Sequence, residues 1–254
     1  MLDVVAHGAV RELRMNNPPV NALRPSLMAA VDKAIQDAPG DGCRALCLSG
    51  APGMFSAGLD VPYMLSSDDN GPASLESLFE LVRTIAGSPI PIAAGITGHS
   101  PAGGAVMALF CDHRVMAEGD FRIGLNEVEV GLPVPPVVHH ALTRLVGENR
   151  AADLCMRGAL LDPRQALEIG FVDQVVDAEQ VVETAIAWCQ SLLARPPEAV
   201  RITRTQARAG LVAAVAALWE GNLRTMLDAW ASTETQDAMQ ALMGRLAAKK
   251  AGAK

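Results

Sequence analysis

The 254-residue chain has no apolar run of the roughly 18 residues that a membrane-spanning helix needs. No stretch has the charged, apolar and small-residue layout of a signal or transit peptide. Cysteine is sparse and unpaired: Cys43, Cys47, Cys111, Cys155 and Cys189 are odd in number, and no two form a C-x-x-C spacing. All five sit in apolar stretches, as reduced core residues of a cytoplasmic protein would. Positive charge is in deficit, with 21 Lys and Arg against 28 Asp and Glu and a formal net charge of -7. That balance argues against nucleic acid or an anionic membrane as the main partner. No cluster has metal-ligand spacing, and the adjacent His139 and His140 would point apart on a helix. Neither a metal nor a redox cofactor is expected.

Half of the residues are hydrophobic, so the chain is globular and long enough for one large domain or a domain with an appendage. Val4 to Met15 reads as a hairpin turning at His7-Gly8. Asn16 to Leu23 is a proline-held loop, and Pro25 to Gln36 carries Leu27, Met28, Val31 and Ile35 at helical spacing. A strand is predicted over Cys43 to Ser49. Ser66 to Pro72 reads as a mobile surface loop ahead of a helix marked by Leu75, Leu78, Phe79, Val82 and Ile85. Further on, Val137 to Val146 reads as a helix. Asp162-Pro163 starts another that stops at Gly170, and Phe171 to Val176 is a strand. From Ala178 onward the pattern is helical: 178–194, 197–209, 211–231 and 233–250, the last with Thr233 and Gln236 as a capping box. The class is α/β, with a core over residues 1–196 and a helical subdomain over 197–254.

The stretch from Pro91 to Glu127 carries the strongest chemical signal. Ile92 to Thr97 is a short apolar strand, which Gly98 ends. His99 to Ala102 forms a loop, and Gly103-Gly104 opens an uncharged helix through Cys111. A glycine pair at a helix start leaves backbone N–H groups free beside the positive end of the dipole, where an anion or a developing oxyanion is stabilised. No Lys follows Gly104, which excludes a phosphate-binding P-loop, and G-x-G-x-x-G is absent. Gly98-His99-Ser100-Pro101-Ala102 has the outline of a serine hydrolase elbow. Its residue after the serine is Pro101, however, and proline has no N–H to give an oxyanion. Glu127 follows as a base, and Gly53 to Asp60 is a second small-residue loop that lets backbone approach a ligand.

In order along the chain, NPPVNAL, FSAGLD, GHSPAGG with CDHRVMAE, IGLNEVEVGL and DPRQALEIGFVDQVV resemble the enoyl-CoA hydratase/isomerase (crotonase) superfamily. The resemblance runs from about Leu13 to Val176 and more loosely through the last helices. It implies a superhelix of ββα turns whose C-terminal helices complete a homotrimer or a dimer of trimers. Leu211, Val212, Val215, Leu218 and Trp219 present more apolar surface than one helix face needs, in line with such contacts.

The resemblance also implies an acyl-CoA substrate, with coenzyme A entering as part of the substrate and no separate cofactor. By position, the backbone N–H groups of Leu59 and Gly103 would hold the thioester oxygen, and Glu127 would move the proton. Leu23, Arg24, Ala57, Gly58, Asp60 and Gly104 would line the CoA and substrate path. Hydratases of the family carry one glutamate at the position of Val106 and another at that of Glu127, and Val106 cannot ionise. The sequence around Glu127 looks like that of Δ3,Δ2-enoyl-CoA isomerases. Isomerisation of 3-enoyl-CoA in fatty-acid β-oxidation is therefore the expected activity. A hydratase, a thioester hydrolase and a non-catalytic CoA-binding protein are the alternatives. Glu129, two residues beyond Glu127, would share its face in an extended segment.

Overall fold

The computed structural model describes residues 1–252, with side chains through residue 248. β1 (Leu2–His7) and β2 (Val10–Met15) form the expected antiparallel hairpin, with Gly8 at φ +66° in its turn. After α1 (Pro25–Asp37) the chain enters β3 (Ala45–Ser49) and then β4 (Gly53–Met54). A short α2 (Val61–Met64) and a long α3 (Asn70–Gly87) follow. The next turn of the spiral repeats this order: β5 (Ile92–Ile96), β6 (Gly98–Pro101) and α4 (Gly103–Phe110). β7 (His113–Ala117) and β8 (Ile123–Gly124) begin a third, which continues through α5 (Pro136–Val146), α6 (Glu148–Arg157), β9 (Leu160–Leu161) and α7 (Pro163–Glu168) to β10 (Gln174–Val176). Three helices close the chain: α8 (Val181–Leu193), α9 (Pro197–Trp230) and α10 (Thr233–Gly252).

The strands divide between two sheets. The larger sheet has the order β1-β2-β3-β5-β7-β10 and is parallel from β2 onward; the smaller has the order β4-β6-β8-β9. Both faces of the large sheet are covered, which is why β3 and β5 are buried at every residue. Side-chain alternation divides them. Ala45, Cys47, Ala93, Val115 and Ala117 face α8, whereas Leu46, Leu48, Ile92 and Met116 face the main core.

Several sequence expectations shift. His99 to Pro101 is a strand of the small sheet rather than a loop, because its backbone pairs with both β4 and β8. The loop before α3 ends at Ser67-Asp69: Asn70 already begins the helix, and Pro72 sits in its first turn, where a missing N–H costs nothing. α9 runs through Gly210 without the expected break. Leu211, Val215, Asn222, Met226 and Trp230 are buried along one face, and that burial outweighs the ~1 kcal/mol preference against glycine. The cap of α10 is Ser232, whose Oγ accepts the Thr235 N–H at 3.2 Å. Gln236 instead donates its side-chain amide to the Trp230 carbonyl at 2.6 Å.

The apolar surface expected for subunit contacts is largely used within the chain. Leu211 and Val215 are core residues, and Trp219 meets Phe79 edge-on with centroids 5.9 Å apart. α9 lies along α3 and α5, so the last helices share the core of the spiral. Among the described residues no helix is long and apolar enough to cross a membrane.

Candidate active site

Three backbone segments meet at a cavity of about 730 Å³. The first is the loop Ser56–Leu59. Ser56 Oγ donates to the Asn21 carbonyl (2.8 Å) and accepts the Gly58 N–H (3.1 Å), which ties this loop to the proline-held one. Leu23 N–H donates to Gly58 O at 2.8 Å, and Leu23 O accepts the Asp60 N–H at 3.2 Å. These bonds leave the Leu59 N–H between them with no partner among the described residues.

The second segment is the turn from β6 into α4. Ala102 lies at φ 46°, ψ -122°, a conformation that costs a non-glycine residue on the order of 1–3 kcal/mol and is held here by Ala102 N–H to Gly124 O (2.9 Å). Gly103 then starts the helix, so its N–H is one of the unpaired first-turn donors. The approach of α4 to the first loop requires glycine: a Cβ on Gly104 would fall 2.6 Å from Ser56 O. A Cβ on Gly58 would fall 3.1 Å from Gly103 N, and one on Gly103 would fall 3.5 Å from Leu59 N. The Leu59 and Gly103 amides therefore lie side by side, and both residues line the cavity.

The third segment carries the acid. Gly124 brings β8 so close to the chain at Ala159 that a side chain there would meet Ala159 O at 2.2 Å. The backbone then winds into a 3₁₀ turn over Glu127–Val130, closed by Gly131 at φ 76°. Glu127 is buried, and its Oε2 has no hydrogen-bond partner among the described residues. Burial pushes its carboxyl up to about 7, against a smaller opposing effect of a backbone hydrogen bond.

Glu129 does not share this face. A 3₁₀ turn advances about 120° per residue, so two residues on points about 120° away from Glu127, and Glu129 is exposed. Val106 lines the cavity one helical turn after Gly103 and brings no ionisable group. Asp60 also lines it but is already engaged. Its Oδ2 accepts from Arg24 Nε at 2.6 Å, and its Oδ1 caps α2 through the Tyr63 N–H at 3.0 Å. The Arg24 guanidinium sits over the Tyr63 ring, 5.4 Å from its centroid.

Of the residues singled out from sequence, Arg24, Ala57, Leu59, Asp60, Gly103 and Glu127 line the cavity. Leu23, Gly58 and Gly104 stand behind it and hold the two loops together. His99 and Ser100 are outside it. The His99 ring packs edge-on against Phe121, and its Nδ1 accepts the Arg122 N–H. Sequence reasoning missed the apolar wall, in particular Met226 on α9 and Met239, Leu242 and Leu246 on α10. Their signal was available in the spacing of 239, 242 and 246, which puts them on one helical stripe. Among the described residues, no group of three His, Cys, Asp or Glu side chains is placed to hold a metal ion.

A two-sheet ββα spiral in which two neighbouring backbone amides and one buried carboxylate line the same largely apolar cavity defines a crotonase-fold protein. The comparisons agree. Residues 6–249 match the family described as enoyl-CoA hydratase/isomerase. The chain is 30% identical to the human mitochondrial enoyl-CoA delta isomerase 1 over 96% of its own length and 82% of the relative's. The crystal structure of human mitochondrial delta3-delta2-enoyl-CoA isomerase superposes with a TM-score of 0.91 at 29% identity, covering 98% of this chain and 99% of that one. An enoyl-CoA hydratase from Mycobacterium ulcerans superposes with a TM-score of 0.81 at 27% identity, over 88% and 98% of the two chains. The chain belongs to the enoyl-CoA hydratase/isomerase family and is an enzyme of that family.

Proposed function

We propose that the enzyme moves the double bond of a 3-enoyl-CoA to the 2,3 position, with Glu127 as the only proton carrier. The observation that carries this is the isolation of Glu127. Among the described residues it is the one carboxylate of the cavity free of an ion pair, Asp60 being held by Arg24 and Val106 being apolar. In this mechanism the Leu59 and Gly103 N–H groups hold the thioester oxygen as an oxyanion hole. Each such donor typically contributes about 2.7–4 kcal/mol to the transition state. The Glu127 carboxylate takes a proton from C2, and the electron pair delocalises over the thioester carbonyl and the C3–C4 double bond. The same carboxyl then returns the proton to C4, so the double bond moves with no net change in composition and no cofactor beyond the CoA of the substrate. A carboxyl raised to about 7 is near the working pH in both directions, as base and then as acid.

CoA is placed by the same proposal past Ala57, with Arg24 meeting a phosphate, while Leu23, Gly58 and Gly104 hold together the two loops along its path. Assembly as a homotrimer or a dimer of trimers belongs with it, supported by exposed Val128, Met156 and Leu160 near the Glu127 turn. Light scattering tests it, and a monomer at micromolar concentration would exclude it.

The decisive experiment offers 3-enoyl-CoA and 2-enoyl-CoA to the enzyme and identifies products by NMR. Conversion of the first to the 2-enoyl isomer, lost in Glu127→Gln, is the expected result. Hydration of 2-enoyl-CoA at a comparable rate would favour the hydratase alternative, and CoA release would favour the thioester hydrolase.

A further inference from the structure

α10 touches the catalytic turn and the cavity with the same face. Thr235 is fully buried, and its Oγ1 donates to the Gly131 carbonyl at 2.7 Å. Gly131 is the residue that closes the 3₁₀ turn begun by Glu127, and a Cβ on it would fall 2.9 Å from Thr235 Cα. The turn is otherwise held by Leu132 N–H to Glu127 O at 3.1 Å and by Gly131 N–H to Val128 O at 3.3 Å. Four, seven and eleven residues beyond Thr235 come Met239, Leu242 and Leu246, all lining the cavity. On an α-helix these four positions form one stripe, about 16 Å long at 1.5 Å per residue. The near end of the stripe grips the turn that carries Glu127. The far end, at Leu246, lines the cavity and is exposed.

The foot of the helix is fixed independently of the cavity. Ser232 Oγ accepts the Thr235 N–H, Gln236 donates to the Trp230 carbonyl, and the Trp230 ring lies where a side chain on Gly71 would be. An apolar chain packed against Met239, Leu242 and Leu246 therefore adds contact along a helix already anchored at one end. It settles that helix, and with it the Thr235 hydroxyl, against the catalytic turn.

We propose that α10 measures the acyl chain and that Thr235 is a positioning residue that passes its occupancy to Glu127, so that long-chain substrates gain in kcat as well as in binding. This inference rests on the acyl-CoA isomerase function proposed above. It goes beyond it in naming medium-to-long apolar acyl chains as the preferred class and a hydroxyl outside the cavity as part of the selectivity.

The test compares wild type, Thr235→Val and Thr235→Ser on 3-enoyl-CoA substrates of increasing chain length. In the wild type kcat should climb with length until the stripe is covered. Thr235→Val keeps the shape and loses the hydrogen bond to the Gly131 carbonyl, along with the longer one accepted from Ser232 Oγ, so its long-chain kcat should fall about 2- to 10-fold with KM little changed, and its dependence on length should flatten. Thr235→Ser retains the hydroxyl and should restore the climb. Equal losses on short and long chains, or a serine variant no better than valine, would overturn the proposal and leave Thr235 a purely structural residue. A second readout does not need turnover: amide hydrogen exchange in the presence of unreactive short-chain and long-chain acyl-CoA thioethers. The long-chain analogue should slow exchange at Gly131 and Leu132 more than the short one in wild type and in Thr235→Ser, but not in Thr235→Val. Protection that ignores chain length would overturn the coupling even if isomerisation is confirmed. Length-dependent protection in an enzyme that does not isomerise would instead reject the proposed reaction and keep the coupling.

Discussion

Arg208 on α9 donates to Asp112 Oδ1 at 3.0 Å, and the same guanidinium reaches the Phe110 carbonyl at 2.7 Å. It thereby caps the C-terminal end of α4, the helix whose first residue is Gly103. Its other bonds go to Ile85 and Ala86 at the end of α3. One buried side chain ties three helices together behind the site. Arg208→Met should destabilise the protein by about 3 kcal/mol, because it strands buried carbonyls and one bond of the half-buried Asp112 carboxylate. Arg204, which also pairs with Asp112, limits the loss. Chemical denaturation should show a lower midpoint with an unchanged m-value.

The buried carboxyl of Glu127 has a stability consequence with a definite sign. In the unfolded chain it ionises above its ordinary value of 4.5, whereas in the folded chain it holds its proton until about 7. Between those values the folded state binds more protons, so stability falls as pH rises, and above about pH 7 the full cost of the buried charge is present. Glu127→Gln never bears that cost. Its stability advantage over wild type should be absent near pH 4 and reach the order of 3 kcal/mol by pH 8. Thermal melts across that range check it, and a constant difference would contradict it.

The same group governs the rate. A carboxylate base must be ionised, so kcat/KM should rise with pH and level off above about 7. Glu127→Gln should lower it by about 10²–10⁴-fold while acyl-CoA still binds, as measured by calorimetry. Glu129→Gln, at an exposed position, should leave the rate within a factor of about two, since its one link to the cavity among the described residues is a long, exposed hydrogen bond from the Asn126 amide at 3.4 Å.

Gly104 is required by packing rather than by chemistry. An added methyl would lie 2.6 Å from Ser56 O and 3.0 Å from Ser100 Oγ, so the loop bearing Leu59 must move away from α4. Gly104→Ala should cost about 1–3 kcal/mol of stability and lower kcat more than it raises KM, because it separates the paired amides. A variant as stable and active as wild type would show that the loop has slack there.

Val106→Glu would place beside Glu127 a second carboxyl free of an ion pair in the cavity, Asp60 being held by Arg24, one helical turn after Gly103. Hydration of 2-enoyl-CoA is expected to appear where the wild type has little, since two carboxylates can divide the activation of water and the protonation of carbon. Product analysis by NMR distinguishes this from faster isomerisation.

Short-range pattern was enough for the local devices. The glycine pair at 103–104, the Asp162-Pro163 helix start and the apolar strands follow from local sterics and spacing, whereas the significance of a non-ionisable Val106 for Glu127 came from the family resemblance. Those rules also located both loops that meet at the cavity. What local pattern did not contain was the partner of each segment. His99 to Pro101 became a strand only because β4 and β8 flank it, and Glu129 lost its place beside Glu127 because the backbone there winds into a turn. Gly210 looked like a helix stop until burial of Leu211 and Val215 outweighed its propensity. The state of Asp60, the rise of Glu127 to about 7 and the seating of α10 on Gly131 are likewise tertiary. Desolvation and long-range hydrogen bonds depend on which distant residues arrive nearby, and only the closed spiral decides that.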